Sequence, residues 1–104
     1  MAIKRTPSPT GDGRLEDEEL AESKNDYDHL TKPEVVEWES ALHKSIGIRE
    51  DEQKDIIEKT GGEEAHDDRL KNDPEYKDRW DKHEKRIRKE EKAYTAAQEW
   101  IAEH

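Results

Sequence analysis

Cysteine is absent from this chain of 104 residues, and so is phenylalanine. Without a thiol there is no disulfide framework, no thiolate nucleophile and no thiolate metal site, a usage that fits a reducing compartment. Apolar residues are scarce as well: 28% of the chain is hydrophobic against 46% charged, outside the balance of ordinary globular domains. No stretch approaches the roughly 18 apolar residues of a membrane span. The opening Met1-Ala2-Ile3-Lys4-Arg5-Thr6-Pro7 also lacks the apolar run of a signal peptide. The expectation is a protein that is neither secreted nor membrane-inserted, working in the cytoplasm or within an intracellular assembly. Glycine is too sparse for a phosphate-cradling loop, and Gly11-Asp12-Gly13 and Gly61-Gly62 read as turns.

What is present is charge, unevenly placed. The net charge is −10; residues 1–14 carry +2, residues 15–73 carry −12, and residues 74–104 carry eight bases and eight acids. An acidic chain is not drawn to nucleic acid, because that attraction is built from clustered Lys and Arg neutralising phosphates. Its field favours a basic partner. Seventeen large apolar side chains from Tyr27 onward supply the core, enough for one small domain with a net stability of ~3–5 kcal/mol.

Residues 1–26 read as a flexible arm with a basic tip followed by acid. Thr6-Pro7-Ser8-Pro9-Thr10-Gly11-Asp12-Gly13 has two prolines and two glycines and nothing apolar to bury. Its Thr-Pro and Ser-Pro pairs are also the form of phosphorylation sites. Leu15 to Lys24 has good helix formers, but five crowded carboxylates oppose compaction, so the segment is at best a transient helix.

Residues 27–104 read as a small all-α domain of two or three short helices plus one long amphipathic C-terminal helix. Thr31-Lys32-Pro33-Glu34 has capping-box spacing, and Leu30 and Val35 have the spacing of a hydrophobic staple. Val35, Trp38, Leu42 and Ile46 then share one stripe and Gly47 suits a stop, which predicts a helix over 32–46. A second helix is predicted over 49–60, with Glu50, Asp51 and Glu52 at its positive end and Gly61-Gly62 after it. Residues 63–72 read as a third short helix or a loop. Asn72-Asp73-Pro74-Glu75 is another start signal, and no glycine or proline follows it. The helix predicted from 74 to 104 carries a heptad-like seam of Tyr76, Trp80, His83, Ile87, Glu90, Tyr94, Ala97 and Ile101. Four acid-before-base pairs, Glu75–Arg79, Asp78–Lys82, Asp81–Lys85 and Glu84–Arg88, support it at roughly 0.2–0.5 kcal/mol each.

No constellation for chemistry stands out, and no catalytic, cofactor or metal residues are assigned. His29, His43, His66, His83 and His104 are scattered without a His-x-x-x-His face, and His66-Asp67-Asp68 reads as a solvated helix start. The bases Lys82 to Lys92 interleave with acids and read as a salt-bridged surface. Trp38 and Trp80 read as core, and Trp100, one residue off the seam, as an exposed anchor.

These features predict a non-enzymatic interaction or assembly protein that needs no cofactor. It docks a protein partner, a larger assembly or a second copy through Tyr76, Trp80, His83, Ile87, Tyr94, Trp100 and Ile101. A component of a viral particle is one such setting. The alternative is an acidic inhibitor that mimics DNA or caps a basic site, using Glu16, Asp17, Glu18, Glu19, Glu50, Asp51 and Glu52.

Overall fold

The computed structural model describes residues 3–104, and among them every regular element is helical. A short 3-10 turn over Lys24–Tyr27 precedes helix α1 (Lys32–Thr60), helix α2 (Glu63–Asn72) and helix α3 (Pro74–Glu103). No helix is long and apolar enough to cross a membrane among the described residues.

Each helix start follows from its local sequence. At α1, Glu34 Oε1 accepts from the backbone N–H of Thr31 at 2.8 Å and from its hydroxyl at 3.1 Å. Leu30 and Val35 are both buried beside this cap, the staple arrangement. At α3, Asp73 Oδ1 accepts from the N–H of Tyr76 at 3.2 Å, and Pro74 occupies the first position, where its missing N–H costs nothing. Residues 63–72, which the sequence left between helix and loop, form α2.

The predicted stop at Gly47 does not occur, and the two helices expected over 32–46 and 49–60 are one helix of 29 residues. A glycine inside a helix costs only ~1 kcal/mol. Ser45, Ile46 and Arg49 on either side of it are buried, and their packing outweighs that penalty. The actual stop is Gly61, at φ +115°, where the N–H of Gly61 donates to Glu58 O and that of Gly62 to Ile57 O. This left-handed C-cap is open to glycine at no steric cost.

Helices α1 and α3 run antiparallel. Their cross-contacts climb one helix as they descend the other: Arg49 meets Glu90, Glu52 meets His83 and Thr60 meets Tyr76. The 30 residues of α3 set the long dimension of a 47 × 22 × 22 Å molecule. The core sits at one end of the helix pair, where Val35, Trp38 and Leu42 pack with Ala93, Ala96, Ala97 and Trp100. Tyr27 joins them, fully buried, and its hydroxyl donates to Ala93 O at 3.0 Å. Burial pushes its phenol pKa well above the usual tyrosine value.

The N-terminal arm takes an extended path and joins this core instead of standing away from it. Ile3, Leu15 and Ala21 are buried in the same cluster as the helices, so the packing does not stop at Tyr27. No helix forms over residues 15–23, where the chain is irregular up to the 3-10 turn. The arm is held by its backbone: Lys4 O accepts from the indole N–H of Trp38 at 2.9 Å, Ile3 O pairs with His29 Nε2 at 3.0 Å, and the N–H of Leu15 donates to Ser45 Oγ at 3.0 Å. Gly13 passes so close to α1 that a Cβ there would lie 2.6 Å from Lys44 Cε.

Candidate protein-docking site

Glu90 is the charged interruption in the α3 seam, and its surroundings explain it. Its carboxylate is fully buried and accepts from Arg49 Nε and Arg86 Nε, each at 2.8 Å. Both guanidinium groups also donate to Leu15 O in the arm, and Arg86 Nη1 reaches Glu18 O at 3.4 Å. Two cations around one anion leave donors to spare, and the arm's carbonyls take them. The cluster therefore bolts the arm across both long helices. Arg14 adds a second tie, pairing with Glu52 Oε1 at 2.6 Å while also meeting Asp12 and Glu16.

The seam is the inner face of the fold over most of its length. Tyr76, Ile87, Glu90 and Ala97 are buried, and Trp80, His83, Tyr94 and Ile101 are half-buried. The innermost line also drifts: towards the C-terminus Ala93, Ala96, Ala97 and Trp100 are buried. A single α-helix of 3.6 residues per turn slips about 20° per heptad against a 3.5-residue seam, which brings Trp100 inward in place of Ile101. Trp100 is only 4% exposed and its indole N–H donates to Asp28 Oδ1 at 3.0 Å. The expected roles of two tryptophans are thus exchanged: Trp100 lies in the core and Trp80 lies at its margin.

Trp80 borders an open groove of about 390 Å³ between the end of α1, α2 and the start of α3, lined by Ile56, Arg69, Tyr76, Arg79, Trp80 and His83. Its aromatic wall is fixed from behind. His66, buried on α2, packs edge-on to Trp80 with 4.3 Å between ring centroids, and its Nδ1 shares a hydrogen bond of 2.5 Å with the Tyr76 hydroxyl. Thr60 Oγ1 donates to Ile56 O at 2.8 Å and lies 3.2 Å from the same hydroxyl. His66 thus serves as a brace. The Arg69 guanidinium lies 4.6 Å above the Tyr76 ring and bonds Asp73 at 3.1 Å. Asp73, receiving the Tyr76 N–H and then Arg69, is held below the usual carboxylate range. His83 Nε2 lies 3.3 Å from Glu52 Oε2. Of the four ion pairs expected along α3, Asp78–Lys82 and Glu84–Arg88 close, at 3.0 and 3.5 Å. Arg79 is exposed and forms no ion pair among the described residues.

The carboxylates expected to act together divide in two. Glu16, Asp17, Glu19, Glu50 and Asp51 are exposed. Glu18 is buried, accepting from the N–H of Ser8 at 3.0 Å with Lys4 at 3.7 Å, and Glu52 is spent on Arg14 and His83. The exposed acid continues instead along α1 and α2 through Asp55, Glu58, Glu63, Glu64, Asp67 and Asp68. No group of three His, Asp or Glu side chains is placed to hold a metal ion among the described residues.

Sequence periodicity could not find Ile56, Arg69 or Arg79 as groove residues. They come from three helices, and only the turns at Gly61-Gly62 and Asp73 bring them together. Comparison with protein-family models, with curated proteins and with solved structures finds no match for this chain.

Proposed function

We propose that this chain is a non-enzymatic protein-interaction module that receives its partner in the groove beside Trp80. The observation that carries the reading is the open, aromatic-walled groove on α3, where the half-buried seam residues Trp80 and His83 stand beside Tyr76 and two arginines. Tryptophan and arginine are the side chains that most often dominate binding energy at interfaces. The groove offers little to catalysis. Its one hydroxyl, on Tyr76, is engaged by His66 and Thr60, and among the described residues its lining holds no serine, threonine or cysteine nucleophile.

A second reading, the acidic inhibitor, is supported by the placement of Glu50, Asp51, Glu58, Glu63, Glu64, Asp67 and Asp68 as exposed side chains on helices. Helices hold charge at fixed spacing, which mimicry of a phosphate array requires. Capture from native cells by wild type, Trp80→Ala and the quadruple variant Glu63→Lys, Glu64→Lys, Asp67→Lys, Asp68→Lys separates the two. The docking reading expects Trp80→Ala to lose a partner that survives 0.5 M salt with wild type. Retention by Trp80→Ala with loss by the lysine variant and by salt supports the inhibitor instead.

A further inference from the structure

We infer that the occupant of the Trp80 groove is an acidic peptide segment with one large apolar side chain, its carboxylate on Arg79 and Arg69 and its side chain against Trp80 and Ile56. This rests on the docking reading above. The chain has 29 acidic and 19 basic residues, yet the six residues lining this groove include two arginines and no carboxylate. Arg79 is exposed and has no ion pair among the described residues, so it is the first cation a partner meets. Arg69 is already bridged to Asp73 and stacked on Tyr76, which fixes its plane and leaves it a second, weaker contact. Planar guanidinium groups match carboxylates through paired N–H donors.

A groove of about 390 Å³ is near the lower end of the ~300–1,000 Å³ range of ligand sites. It accepts one side chain and its flanks, not the face of a folded domain. Trp80 and Ile56 provide an apolar floor, and the brace from His66 spares the partner the entropic cost of ordering the indole. Charge density favours a peptide over nucleic acid. A strand brings a phosphate with every nucleotide towards a chain of net charge −10, with Glu63, Glu64, Asp67 and Asp68 exposed on α2 nearby. A peptide needs only one or two carboxylates and can place them at the arginines.

The test is to pan a displayed library of random 12-residue peptides against the full chain and titrate synthetic versions of the enriched sequences, following the Trp80 indole N–H by NMR. The inference expects Asp or Glu flanking an aromatic or branched apolar residue, with Trp80 shifted and Trp38 and Trp100 unmoved. Arg79→Glu, a surface change that leaves the brace intact, should weaken binding at least about tenfold, and Trp80→Ala by more than about tenfold. Arg79→Glu should also regain affinity when the peptide acid is replaced by lysine. Basic or uncharged peptides that still shift Trp80 would overturn the acidic occupant and leave the docking reading standing. A single-stranded oligonucleotide that shifts Trp80 more tightly than any selected peptide would overturn it too. If no selected peptide shifts a groove residue, both readings fail.

Discussion

At the scale of single residues, the fold turns on Glu90. A fully buried carboxylate shared by Arg49 and Arg86 leaves an uncompensated positive pair if it is removed, and breaking such a cluster by losing one partner costs ~3–5 kcal/mol. That is comparable with the whole stability of a chain this small. Glu90→Ala is therefore expected to be largely unfolded at 25 °C by far-UV circular dichroism, and a urea midpoint close to that of wild type would contradict the bolt. A gentler prediction concerns pH. Backbone hydrogen bonds from Thr31 and Tyr76 hold the carboxyls of Glu34 and Asp73 below their ordinary values. Groups with lowered folded pKa stabilise the fold fully above the unfolded pKa of about 4 and lose that contribution as pH falls through the folded value. Urea midpoints should drop between pH 5 and pH 2, and Asp73→Asn should flatten that fall without abolishing it.

At the scale of elements, Gly47 is where expectation and structure part most clearly. It is exposed within α1 and a Cβ there would touch nothing within 4 Å. Gly47→Ala should raise stability by ~0.5–1 kcal/mol, read from a urea titration; a loss of stability would mean the helix breaks there after all. The starts at Thr31 and Asp73 and the all-helical class were legible because capping and 3.6-residue periodicity are local signals. The continuity of α1 was not, because it depends on Ser45, Ile46 and Arg49 packing on partners far along the chain. The arm was hidden for a related reason. Ile3, Leu15 and Ala21 are spread along a segment rich in prolines, glycines and acids with no common period, so their burial is visible only once α1 and α3 form a surface for them. Of the candidate site, Tyr76, Trp80 and His83 were readable from the seam. The arginines that give the groove its charge were not, because Arg69 lies on another helix and the spacing of Arg79 marks it as the ion-pair partner of Glu75, a pair that does not close.

At the scale of the whole molecule, a chain too polar for a conventional core has closed a two-helix pair by laying its own N-terminal arm across it. The three tryptophans report separately on that arrangement. The indole N–H of Trp38 donates to Lys4 O in the arm, that of Trp100 donates to Asp28, and the half-buried Trp80 indole has no acceptor among the described residues. Trp38 is 1% exposed, and the acceptor for its indole N–H is a carbonyl of the arm. Hydrogen exchange of the three indole N–H groups, followed by ¹H–¹⁵N NMR after transfer to D₂O, tests the account most directly. Trp80 is predicted to exchange within the dead time, while Trp38 and Trp100 stay protected and exchange at a rate set by larger openings of the fold. A Trp38 indole that exchanges as fast as that of Trp80 would show the arm undocked, and the closure of the helix pair by the arm would fall with it.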